Sequence, residues 1–152
     1  MLEKYLIAHC APTLASLKTA SLFCMSVLSE QDLEGQIKDW NSRLWEKGLF
    51  LMVLKRYKDK ALVYVCRKSH LQADLKKAGV ANFLAQYGYR HTDLKYALTR
   101  LRQRLNSSNS FPHEIGIFLG YPLEDVVGFI QKKKKNANIP VIGRFIRMNV
   151  KQ

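Results

Sequence analysis

Two apolar runs around a charged tip do most to limit what this chain can fold into. Leu49 to Lys55 and Ala61 to Arg67 are rich in Val, Leu, Tyr and Phe, and only Arg56-Tyr57-Lys58-Asp59-Lys60 separates them. Strand-forming runs joined by a short polar segment read as an antiparallel hairpin. A hairpin needs an apolar cover, and the flanking sequence offers helices for it. Ser29 and Asp32 have the spacing of a capping box, and Leu33, Ile37, Trp40 and Leu44 then fall on one helical face. Gly48 stands where a left-handed residue ends a helix, so a helix is expected over 30–47.

The remaining segments obey the same logic. Leu2 to Lys18 reads as helix, turn, helix, with Pro12 and Thr13 opening the second helix. Ala20 to Val27 is a short apolar run that suits a buried strand. Ser69 with Gln72 forms a second capping box, and Gly79 divides the stretch from there to about Gly88 into two short helices. Thr92 caps a helix with Leu94, Leu98, Leu101 and Leu105 on one stripe, leaving Arg100, Arg102 and Arg104 for a solvated face. Asn106 to Ser110 is loop by composition, and Ile115 to Leu119 reads as another buried strand. Pro122 opens a last helix, with Glu124 and Asp125 in the first turn where acids complement the macrodipole. The expected class is α+β, with helices packed on a small, mostly antiparallel sheet.

The chain has 152 residues, of which 47% are apolar and 24% charged, enough to bury a core without disulfides or metal. The apolar runs fall well short of the roughly 18 to 20 residues that span a bilayer. The segment at Met1 carries Glu3 where a signal peptide has basic residues, so no membrane partner is expected and the compartment reads as cytoplasmic. Cys10, Cys24 and Cys66 are odd in number and widely spaced, without a CxxC pair, in keeping with a reducing compartment.

A net charge of +13 points first to nucleic acid, since Lys and Arg neutralise phosphates. Seven of the basic residues, however, lie from Lys132 onward, where there are no acids; the rest of the chain has a net charge of only +6. The chain therefore divides into a single α+β domain over residues 1–131 and a basic tail over 132–152.

Two stretches are more specific than composition. One is His9-Cys10-Ala11-Pro12-Thr13-Leu14-Ala15, with Lys18 and Leu22-Phe23 beyond it. The other runs from Phe111-Pro112-His113-Glu114-Ile115 through Gly120-Tyr121-Pro122-Leu123-Glu124-Asp125-Val126 to Gly128-Phe129-Ile130. With the Leu62-Val63-Tyr64-Val65 strand, they resemble the bacterial family catalogued as domain of unknown function 3793, over about residues 5 to 131. The resemblance implies a bacterial cytoplasmic protein and no particular activity. It also implies a closing segment near Gly-Tyr-Trp-Lys-Val-Tyr, a final strand, which this chain lacks. One set of synonymous codons for Asn136 to Ile146, read from the third base, encodes Cys-Lys-Tyr-Thr-Gly-Tyr-Trp-Lys-Val-Tyr; the alternative is a genuine divergent basic tail. The lysine codons before them form an A-rich tract where a base is easily gained or lost. Residues from about Lys133 onward are accordingly read as out of the native frame, and the tail is set aside as a guide to partners.

Chemistry centres on Cys10 and His113. A cysteine just before a helix start meets exposed N–H groups and the positive end of the dipole, which lower a thiol's pKa. Thiol nucleophiles need an imidazole, and the imidazole a third group to orient it; Glu114, Asp125 or Asn109 could serve. The site read from the sequence is thus Cys10, His113 and Glu114, acting on an acyl, peptide or thiol substrate. The plainer reading of the same residues is a buried cysteine and a hydrogen-bonded turn. His9, Cys10, His113 and Glu114 are metal-ligand types without metal-ligand spacing, so neither metal nor cofactor is expected. Cys24 and Cys66 read as core, His70 and His91 as surface or capping residues. Trp40 belongs to the buried stripe and Trp45 flanks it, neither marking a base-stacking site. Walker, Rossmann, HExxH and GxSxG patterns are absent. The alternative to the Cys/His enzyme is a non-catalytic binding or regulatory domain, with nucleic acid the partner that charge alone favours.

Overall fold

The hairpin forms as expected in the computed structural model, which describes residues 1–107 and 111–135. Strand β2 (Leu49–Arg56) pairs antiparallel with β3 (Lys60–Arg67), and β1 (Ala20–Ser26) pairs antiparallel with the other side of β3. The order β1-β3-β2 puts β3 in the centre. The pairing of β2 with β3 shifts between Val53 and Lys55, a bulge at Leu54.

Side-chain alternation sends the sheet's residues to two separate cores. Leu22, Met52, Leu54, Leu62, Tyr64 and Cys66 face one way, while Phe23, Met25, Leu49, Leu51, Val63 and Val65 face the other. The second face is covered by α1 (Leu2–Leu14) and α2 (Glu30–Leu44), the latter continued by a 3-10 turn, Trp45–Lys47. The first face is covered by α3 (Lys68–Leu75), α4 (Val80–Ala85), α5 (Leu94–Ser107), α6 (Ile115–Phe118) and α7 (Leu123–Lys135). The α+β class holds, and the sheet is covered on both faces.

Helix α2 matches its sequence signals. The Ser29 hydroxyl accepts from the Asp32 N–H at 3.3 Å, and Gly48 closes the element with φ of 81°. Other expectations change. Leu2 to Leu14 is one helix, not two, with Pro12 inside its last turn. Leu2, Leu6, Cys10 and Thr13 form a single buried stripe through the proline. The Arg67 guanidinium donates to the carbonyls of Thr13 (2.8 Å) and Leu14 (2.6 Å), satisfying the helix end from outside. That tertiary cap offsets the proline's preference for a helix start.

Ser69 lies inside α3 and caps nothing; Arg67 precedes that helix without a side-chain cap. Asp93, not Thr92, serves α5, its carboxylate accepting from the Tyr96 N–H at 3.3 Å. Ile115 to Leu119 is not a strand. Its bonds are local, from Leu119 N–H to Ile115 C=O and from Gly120 N–H to Ile117 C=O. A short apolar run has no period that distinguishes strand from helix, and here the Tyr64 hydroxyl on β3 holds the Phe118 carbonyl. Helix α5 reaches through Ser107, past the start of the expected loop. Asn109 and the tail beyond Lys135 lie outside the described residues.

Candidate functional site

The residues singled out from the sequence fall on opposite faces of the sheet. Cys10 points from α1 into the core shared with α2 and is fully buried. It lies within the helix near its C-terminal end, so the dipole does not favour a thiolate there. Burial pushes the thiol up to about 12, outweighing the Ser21 hydrogen bond and the Lys18 charge that pull it down. Glu114 sits with the helices of the other face, also fully buried. Its carboxylate accepts from Arg104 Nε, from Arg104 Nη2 at 3.2 Å and from the Tyr89 hydroxyl at 3.0 Å. Burial and the neighbouring carboxylate push the Tyr89 phenol well up, which keeps it a donor. The Nε2 atom of His113 lies 3.4 Å from Lys133 Nζ. Structure brings His113 and Glu114 together only as chain neighbours and leaves Cys10 across the sheet from Glu114. Arg104, expected on a solvated face, instead binds a buried acid and lies 4.9 Å from the Tyr87 ring centroid. Among the described residues, no group of three or more His, Cys, Asp or Glu could hold a metal ion.

A different cluster forms an open site. Leu44 faces the core, so Trp45 one residue later turns outward and is 54% exposed. Lys68 opens α3 directly after β3 and sets its ammonium 3.1 Å from the indole centroid, a cation–π contact. Phe50 of β2 meets the same indole edge-on, with centroids 6.2 Å apart at 77°. Helix α5 supplies Leu94, Lys95, Leu98, Thr99 and Arg102. Together they enclose a cleft of about 430 Å³ with an apolar floor and, among the described residues, three cations (Lys68, Lys95, Arg102) and no carboxylate in its lining.

A second groove of about 630 Å³ continues along β2 toward Arg56 and shares Phe50, Met52 and Arg102 with the first. Leu33, Ile37 and Asn41 of α2 form its far wall. The Asn41 side chain accepts from the Leu51 N–H at 2.7 Å and donates to the Leu51 carbonyl at 2.9 Å, while Asn106 donates to the Leu54 carbonyl at 2.9 Å. Glu30, paired with Arg56 at 2.6 Å, and Glu34 make this end mixed in charge.

Sequence reading missed the cleft because its parts come from four elements. The one available sign was Trp45 placed directly after a core leucine and three residues before the helix-ending Gly48.

Fold and site define a small α+β domain with a two-sided core and a basic, aromatic cleft at the β2 edge. The chain belongs to the family described as Protein of unknown function (DUF3793), whose model matches residues 6–141. The match ends ten residues beyond the expected limit of 131, within the basic tail. No curated protein and no solved structure matches the chain. Among the described residues, no helix is long and apolar enough to cross a membrane.

Proposed function

We propose that this protein is a non-catalytic binding domain and that its ligand is nucleic acid. The observation that carries the reading is the Trp45 cleft: an exposed indole among Lys68, Lys95 and Arg102 with, among the described residues, no carboxylate in the lining. Flat bases stack on aromatic faces and phosphates take Lys and Arg as counter-charges, so both halves of a nucleotide find a partner there. Catalysis by Cys10, His113 and Glu114 has less support. The thiol lies in an apolar core with its pKa raised, and the Glu114 carboxylate is committed to Arg104 and Tyr89. We take a bacterial cytoplasm as its compartment, since Cys10, Cys24 and Cys66 are all free thiols.

Titration of the whole protein with labelled oligonucleotides tests this at several salt concentrations. The expected result is binding that weakens as salt rises, and that weakens further when Lys95 and Arg102 are both changed to Glu. An affinity indifferent to salt and to both charge reversals would end the proposal.

A further inference from the structure

Resting on that reading, we infer that the ligand is single-stranded and short, with one base on Trp45 and its backbone running along β2 toward Arg102. Three observations carry this. The indole is exposed beside the cleft, and a base can stack on it only where its own face is uncovered, as in a single strand and not inside a duplex. The cleft and the β2 groove share Phe50, Met52 and Arg102, so the path from the indole leads along one side of a single strand. Its floor is β2, whose eight residues span about 26 Å at ~3.3 Å per residue.

Charge favours the Trp45 end, and the length of β2 bounds the path. Lys68 and Lys95 lie at the Trp45 end, and Arg102 belongs to both cavities. The second groove adds Glu30 and Glu34 but also Lys38 and Lys55, and its Arg56 is held by Glu30 at 2.6 Å. Among the described residues, a phosphate meets cations alone at the first end and a mixed but still net-positive lining at the second. Lys68 also lies over the indole, 3.1 Å from the ring centroid. A base that displaces it leaves the ammonium beside its own phosphate, so the contact is exchanged rather than lost. The footprint expected from a floor of about 26 Å is about four nucleotides, the low end for one small domain.

Fluorescence anisotropy with the full chain tests the inference, using labelled oligothymidylates of about two to twelve nucleotides and a hairpin duplex of matched length. Affinity should rise with length only to about four nucleotides, and the single strand should bind about ten-fold more tightly than the duplex. Trp45→Ala should weaken single-strand binding about ten-fold, as loss of one stacked base does. Because Trp45 is exposed, circular dichroism should show that variant folded. Glu34→Lys should tighten single-strand binding. Equal or tighter duplex binding, or an unchanged Trp45→Ala affinity, overturns this inference; if Lys95→Glu and Arg102→Glu still weaken binding, nucleic-acid binding itself stands. Absence of binding to every probe overturns both.

Discussion

Arg104 and Glu114 form a bidentate pair that joins α5 to the turn before α6, with the carboxylate fully buried and the guanidinium partly open to water. Tyr89 adds a third donor, so the acid is bonded on both oxygens by groups from separate elements. A buried carboxylate held this way fixes the position of the Pro112-His113-Glu114 turn.

Arg104→Met should therefore destabilise the protein by about 3–5 kcal/mol, because it leaves a buried charge without its partner. Urea denaturation measures this. The double variant Arg104→Met with Glu114→Leu should recover a large part of the loss. A single variant as stable as the parent would show that the pair does not hold the turn.

Cys10 should not react with a thiol-directed probe at neutral pH in the native state, and should react once the protein is unfolded. Its pKa and that of Cys66 are both raised from 9.0 to about 12, chiefly by burial. The unfolded chain thus loses these protons first as pH rises. Their contribution to stability is complete below pH 9 and is lost between about pH 9 and 12, with a slope of about 1.4 kcal/mol per pH unit for each thiol. Denaturation midpoints across that range check the sign. Cys10→Ala and Cys66→Ala should each flatten the slope.

Asn41 stands in for a neighbouring strand at Leu51, accepting from its N–H and donating to its C=O. Asn41→Leu should cost about 1–3 kcal/mol, since both backbone groups lose their partner. It should also raise concentration-dependent self-association, because an uncapped edge is a template for another strand. Light scattering and thermal unfolding together would detect both effects. Unchanged values in the two would sink this reading.

The basic tail from about Lys133 is proposed to be out of frame, and sequencing the gene across the codons of Lys132 to Lys135 decides it. A codon pattern unable to encode Trp-Lys-Val-Tyr in the shifted frame would dispose of the proposal. The family match runs to residue 141, inside that segment, and favours the present frame that far.

Where local signals were complete, the sequence was sufficient. Ser29, the Leu33-Ile37-Trp40-Leu44 stripe and Gly48 specify α2 within the chain itself, and the two runs around Lys58 specify the hairpin. Period and turn chemistry act between near neighbours, so they can be read without coordinates. They failed where a distant partner overrode them. Arg67 lets α1 run through Pro12, and Tyr64 holds Ile115–Phe118 as a helical turn.

Family membership, the α+β class and the residues worth testing were legible in the chain. The tertiary structure alone decided which of those residues meet. It set the sheet between Cys10 and Glu114, and it gathered Trp45, Lys68, Lys95 and Arg102 from three helical elements around Phe50 on β2. A site made of parts far apart in sequence has no local pattern, because its spacing exists only after the chain has folded.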